Sequence, residues 1–213
     1  MSIVVVGSGG LANDLWMYLA PDLNEKIILK GVLTDNFEDY QDSLFEQEYL
    51  GKIKDYKIEE DDQFIVAIGE NPGRAEVINY LKSLGAKFFT FIHPSVILHP
   101  SSKIEEGSII GPFCSIGAKA GVGEHTFLNK YCNIGHGARI GRNCIMSPYS
   151  MVGGNACISN NVTIYTRSTI APNCKIAAHS KIAAHTFVRK NVSRSMLVSD
   201  SPKQVRKEIS GEI

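Results

Sequence analysis

The sequence has little that would draw it to a charged partner. Its 22 lysine and arginine residues are balanced by 22 aspartate and glutamate residues, so no nucleic-acid-binding or membrane-binding surface is expected. Long apolar runs are missing too; no stretch approaches the roughly 18 residues of a membrane span. The opening Met1-Ser2-Ile3-Val4-Val5-Val6-Gly7 lacks the basic leader of a secretory signal, and a cytoplasmic location is the expectation. Cysteine is scarce and odd in number: Cys114, Cys132, Cys144, Cys157 and Cys174, with no Cys-x-x-Cys. That sets aside a disulfide framework and a cysteine-held zinc, and no metal is expected. The N-terminal glycines stop short of the dinucleotide fingerprint, because Ala12 stands where the third glycine of G-x-G-x-x-G would be. A dinucleotide oxidoreductase is therefore disfavoured.

What is present divides near residue 90. The segment 1–90 alternates apolar runs with helical patterns. Strands are read at Ile3–Val6, Ile27–Leu33, Phe64–Ile68 and Lys87–Phe91, with helices from Leu11 to Leu19 and from Pro72 to about Leu84. Such alternation predicts a small Rossmann-like parallel sheet covered by helices. The polar, acidic stretch 36–60 gives no clear reading.

From residue 91 to 192 the period becomes six. Ile92, Leu98, Ile104, Ile110, Ile116, Val122, Leu128, Ile134, Ile140, Met146, Val152, Ile158, Ile164, Ile170, Ile176, Ile182 and Val188 are all apolar. Two positions before each of these from Leu98 on stands a small or β-branched residue, and four of the five cysteines fall in that row. An unbroken period of this kind is a β-helix signature, with the aliphatic inside and the small residue beneath a corner. Glycines follow the aliphatic at 111, 117, 123, 135, 141 and 153 and are read as permitting tight turns. Three hexads make one triangular coil, so residues 18 apart stack. Residues 193–213 are read as a tail.

A hexapeptide repeat behind a Gly-x-Gly-Gly strand–turn–helix segment resembles the bacterial sugar acyltransferases. The branch is the one holding the bacillosamine-pathway N-acetyltransferases, GDP-perosamine N-acetyltransferase and the sialic-acid O-acetyltransferases. The resemblance implies a left-handed β-helix and a homotrimer with active sites between subunits. It also implies acetyl-CoA as co-substrate in the groove between neighbouring β-helices.

The resemblance carries a catalytic role onto His136 in Asn133-Ile134-Gly135-His136-Gly137. It carries a sugar contact onto Asn129. Gly154, eighteen residues after His136, leaves a groove and a backbone N–H for the oxyanion. The column Gly154, Pro172, Lys190, with Gly153 beside it, is the expected path of acetyl-CoA; Arg189, Ser201 and Lys203 are further candidates for its phosphates. The family acid after the histidine is absent, since Gly137 stands there, and a second family histidine is Ile145 here. The nucleotide is expected at the sheet edge formed by Gly7, Ser8, Gly9 and Gly10, with Asp35 and with Gly69, Glu70 and Asn71, where anions and ribose find strand-end turns. His93 and His99 read as surface residues at the junction of the two segments. His125, His179 and His185 read as solvated or interface side chains.

The leading expectation is acetyl-CoA-dependent N-acetylation of a nucleotide-linked amino sugar, specifically UDP-2-acetamido-4-amino-2,4,6-trideoxyhexose. The amine attacks the thioester directly, as no serine or cysteine nucleophile flanks His136. A sialic-acid-type O-acetyltransferase is the alternative, weakened by Gly137, because a hydroxyl needs a stronger base. A non-catalytic scaffold is the third class. A zinc carbonic anhydrase needs three converging histidines, which the columns do not provide.

Overall fold

The computed structural model describes residues 2–19 and 28–200. Strand β1 (Ser2–Val6) leads through the glycine turn into helix α1 (Gly10–Leu19). Strand β2 (Ile28–Leu33), the short helix α2 (Phe37–Gln41) and strand β3 (Glu48–Gly51) follow, then β4 (Asp62–Val66), helix α3 (Gly73–Ser83) and β5 (Lys87–Phe88). The five strands form one parallel sheet in the order β3-β2-β1-β4-β5. The order reverses beside β1, which opens a crevice at the carboxyl ends of β1, β2 and β4. The unread stretch 36–60 thus holds α2 and the edge strand β3. The third strand ends at Val66, and the strand read as Lys87–Phe91 is two pieces: β5 in the sheet and Phe91–Ile92 in the repeat.

Every aliphatic in the six-residue series closes a two-residue strand. Partners are 18 residues apart and parallel, as in Ile134↔Val152 and Leu128↔Met146. The strands stack into three faces. The first has seven strands and includes those ending at Ile110, Leu128 and Met146; the second has six, including Ile116, Ile134 and Val152; the third has five, including Val122, Ile140 and Ile158. The aliphatics fill the lumen with Cys114, Cys132, Cys144, Cys174 and the alanines. Cys157 points outward and is exposed.

The small residues do more than fit. Ser108, Cys114, Thr126, Cys132, Cys144, Ser150 and Ser168 each donate a side-chain hydrogen to the carbonyl fifteen residues ahead. This row therefore selects for a small inward donor and ties each coil to the next. Burial accordingly pushes the Cys144 thiol up to about 12.

The glycines after the aliphatics do not serve the turns. The positive φ angles lie two residues later, at Phe113, Lys119, His125, Gly137, Asn143 and Asn155. A Cβ on Gly135 would stand 2.6 Å from the Gly154 nitrogen, and one on Gly153 2.6 Å from the Pro172 nitrogen. Glycine is needed there because the next coil passes too close.

The first four strands of the first face are apolar on both sides. Phe91, Ile109, Phe127 and Ile145 point outward and pack with Ile3, Val5, Leu15, Tyr18 and Val32 of the N-terminal layer. The solenoid also runs past residue 192. Leu197–Val198 pairs with Lys181–Ile182, so part of the stretch read as a tail is a shortened last coil. The remainder, with Ser201 and Lys203, lies outside the described residues.

Candidate active site

His136 sits on the corner between the second and third faces, exposed. In-register pairing of Ile134, Val152, Ile170 and Val188 places Gly154, Pro172 and Lys190 above it, one coil each. A Cβ built on Gly154 would lie 2.7 Å from His136 Nε2 and 2.8 Å from Cε1. The imidazole therefore lies against the bare Gly154 backbone. Gly153 N–H donates to the Ile170 carbonyl and Asn155 N–H to that of His136, both at 2.8 Å, while Gly154 N–H meets no carbonyl among the described residues. An open imidazole next to a free N–H pairs a proton acceptor with a donor for a developing oxyanion.

No described carboxylate orients the His136 ring. Gly137 has φ +65°, and the space a side chain would enter is held by the Asn155 carboxamide. Asn155 is thus a neighbour of the site that the reading from composition and resemblance missed; its position, 18 past Gly137, was the available signal. Lys190 lines a groove of about 500 Å³ at the solenoid's end, together with Arg189, Asn191, Met196, Val198 and Asp200.

Asn129 lies on a different corner, between the first and second faces, and is buried. Its Oδ1 accepts from the Tyr18 hydroxyl at 3.2 Å and from Lys130 N–H at 2.7 Å. Only the amide nitrogen is left to meet a ligand. Tyr18 comes from α1 of the other layer, and no periodicity announces it. Burial raises its phenol to about 12, keeping it a donor. One chain therefore carries Asn129 and His136 on separate edges of the prism.

The crevice of the N-terminal sheet measures about 490 Å³. Gly7, Ser8, Gly9, Gly10, Asp35, Gly69 and Glu70 line it, with Thr34, Asn36 and Asp39. Gly7 has φ +102°, and a Cβ there would stand 3.0 Å from the Ala67 carbonyl. The Ser8 hydroxyl is buried without a partner among the described residues, beside the start of α1. Asp35 Oδ1 accepts from Ile53 N–H at 3.0 Å. Among the described residues the lining has no lysine or arginine, so an anion there meets N–H groups and a hydroxyl. Asn71 is not part of it. Its side chain turns to the solenoid, where its Nδ2 donates to the Asn143 carbonyl at 3.2 Å.

His125 corrects its reading as a solvated or interface residue. It is 3% exposed, set edge-on to Phe88 with ring centroids 4.5 Å apart, and its Nε2 has no partner among the described residues. Burial, then Lys82 and Arg74, lowers its pKa to about 4. His93 and His99 use Nδ1 to accept from the N–H groups of Ser95 and Ser101, at 3.2 and 3.1 Å; they cap the first corners.

Residues 119–154 match the bacterial transferase hexapeptide (six repeats) family. No curated protein sequence matches the chain. Among solved structures, PerB from Caulobacter crescentus in complex with CoA and GDP-perosamine is 20% identical. It superposes with a TM-score of 0.81 over 97% of this chain and 98% of that one. WeeI from Acinetobacter baumannii AYE is 18% identical, with a TM-score of 0.82 over 95% and 98% of the two chains. The acetyltransferase domain of PglB from Neisseria gonorrhoeae FA1090 is 18% identical, with a TM-score of 0.71 over 94% and 97%. These likenesses show a shared fold along nearly the whole chain.

Proposed function

With residues 119–154 carrying the repeat of the bacterial transferase hexapeptide family, we propose that the protein is an acetyl-CoA-dependent N-acetyltransferase. Its substrate is the amino group of a nucleotide-linked amino-deoxy sugar. The observation that carries this is the His136 ring lying against Gly154, with a free N–H beside it, on the corner of a solenoid packed against a sheet that bears a nucleotide-sized crevice. The related PerB structure holds CoA and GDP-perosamine, a pair of ligands that such a two-part architecture suits.

In the reaction the sugar amine attacks the thioester carbonyl, and a C–N bond forms. His136 takes the amine proton, and Gly154 N–H donates to the tetrahedral oxyanion. The C–S bond then breaks, and CoA leaves as the thiol after receiving a proton. Gly153, Gly154 and Pro172 shape the pantetheine path, and Lys190 with Arg189 meets the phosphates. The crevice holds the nucleotide, its phosphates on the N–H groups of Gly9 and Gly10 and the Ser8 hydroxyl, with Asp35 and Glu70 for base or ribose donors. Asn129 Nδ2 faces the sugar. The first substrate to assay is UDP-2-acetamido-4-amino-2,4,6-trideoxyhexose.

The solenoid is proposed to be left-handed and the protein a homotrimer. Its second face carries no charge outward: Ile97, Ser115, Asn133, Met151, Thr169 and Phe187, with Ile97 74% exposed. Tyr131 and Tyr149 stack beside it with centroids 4.7 Å apart. A neighbour on this face covers apolar surface and brings one chain's Asn129 corner toward another's His136. Thiol release from acetyl-CoA, followed with nucleotide-linked amino sugars and with free sialic acid, tests the function. Release with the amino sugars alone supports the reading; release with sialic acid alone replaces it with O-acetylation.

A further inference from the structure

Helix α3 carries a cation where a surface helix normally places an aliphatic. Arg74 is fully buried, and no carboxylate among the described residues pairs with it. Its Nη1 donates to Asn143 Oδ1 at 2.7 Å and its Nη2 to the Val66 carbonyl at 3.4 Å, while Nε has no partner. Asn143 continues the chain of bonds: its Nδ2 donates to Asn71 Oδ1 and to Asn161 Oδ1, each at 2.7 Å. An unpaired buried cation is costly, and a methionine of similar length would pack there without that cost.

The two ends of this chain of bonds account for the arginine. Val66 closes β4, three residues before Gly69 at the crevice. Asn143 stands on the solenoid corner between the third and first faces, seven residues after His136. Arg74 thus ties the edge of the crevice directly to the repeat. The planar guanidinium presents a separate nitrogen to each acceptor, which the single nitrogen of a lysine ammonium does not. Lys82 adds a second tie at the far end of α3, its Nζ 2.6 Å from Glu124 on the same corner.

We propose that Arg74 is a positioning residue: with Asn71 and Asn143 it sets the distance and angle between the nucleotide crevice and the acetyl-transfer corner. The inference rests on the acetyl-transfer reading above. A substrate anchored in one layer and reacting on the other converts a small rotation at their junction into a displaced amine. Misplacement by about 1 Å is enough to cost on the order of 10²-fold in rate.

The test is Arg74→Met in the full chain. UDP and GDP are expected to bind the variant's crevice with wild-type affinity by calorimetry. The kcat for amine acetylation is expected to fall about 10- to 100-fold with KM for acetyl-CoA unchanged. Arg74→Lys is expected not to restore it. Spin labels on Cys157 and on a Lys57→Cys variant, in assemblies diluted with unlabelled Cys157→Ser chains, are expected to show one narrow distance in the wild type. A broad distribution is expected with Arg74→Met. An unchanged distribution overturns the proposal, as does nucleotide binding that weakens in step with kcat, which marks a purely structural role. If Arg74→Met does not fold, Asn71→Ala carries the same expectations, since it cuts the junction and leaves the guanidinium's own partners in place. The distance measurement needs no turnover. If the wild type releases no thiol at all, the acetyl-transfer reading fails and the labels alone decide whether Arg74 fixes the layers.

Discussion

The His136 imidazole occupies the place where a side chain on Gly154 would begin, with Nε2 2.7 Å from that absent Cβ. The two residues are 18 apart and act as one unit, since the ring keeps its position only while residue 154 is bare. Gly154 has no positive φ, so alanine fits its backbone and must displace the ring instead. Gly154→Ala and His136→Ala are each expected to lower kcat by about 10- to 10³-fold, with Tm nearly unchanged. The double variant is expected to be no worse than either single one. Steady-state kinetics on the three variants check this, and fully additive losses would separate the two residues.

Asp35 is suited to a conservative change. Asparagine keeps an oxygen for Ile53 N–H, which Asp35 now holds at 3.0 Å, and removes only the charge. Asp35→Asn is expected to raise KM for the nucleotide sugar several-fold and to leave KM for acetyl-CoA unchanged. Because no lysine or arginine among the described residues lines the crevice, nucleotide affinity is expected to depend weakly on salt. Calorimetry from 50 mM to 500 mM salt checks the second point.

Stability is expected to depend on pH through His125. Its folded pKa of about 4 lies below the usual 6.5, so between these values the unfolded chain binds more protons and stability rises with pH. The contribution is complete above about pH 6.5 and is lost as pH falls toward 4; two or more pKa units correspond to roughly 3 kcal/mol. His125→Gln is expected to flatten this part of the profile. Urea unfolding at half-unit steps between pH 4 and 7 measures it, and an unchanged slope would assign the effect to other groups.

Two glycines on the solenoid surface are expected to respond in opposite ways. A Cβ on Gly135 meets the Gly154 nitrogen at 2.6 Å, whereas one on Gly121 meets nothing within 4 Å. Gly135→Ala is expected to destabilise by about 1–3 kcal/mol. Gly121→Ala is expected to be neutral or slightly stabilising, by loss of unfolded-state entropy. Thermal melts of the two variants side by side decide it.

The repeat was legible because its rule is strictly local: one aliphatic every six residues fixes strand, lumen and stacking partner together. The column His136, Gly154, Pro172, Lys190 followed from that arithmetic. The same arithmetic held an unused signal. Apolar residues precede the aliphatic at Phe91, Ile109, Phe127 and Ile145, all on one face, and mark where the sheet layer docks. Strand β3 was not legible, because four residues at a sheet edge, none of them buried, need little hydrophobicity. Tyr18 on Asn129 and Arg74 on Asn143 were not legible either, since contacts between the layers obey no period. Asn71 illustrates the resulting error. It ends a strand beside Gly69 and Glu70 and so reads as part of the crevice, but its amide is used across the junction.

The final coil is two residues short. Ile176 bridges Val192 and Ile182 pairs with Val198, sixteen residues on rather than eighteen. The end of a solenoid exposes a rung of unpaired backbone groups, and a rung that matched the full perimeter would serve as a template for the end of another molecule. Growth by that route has no natural limit and leads to fibres. A contracted last rung offers an incoming chain no matching perimeter. A last coil two residues short is thus expected to disfavour end-to-end stacking of one solenoid on another.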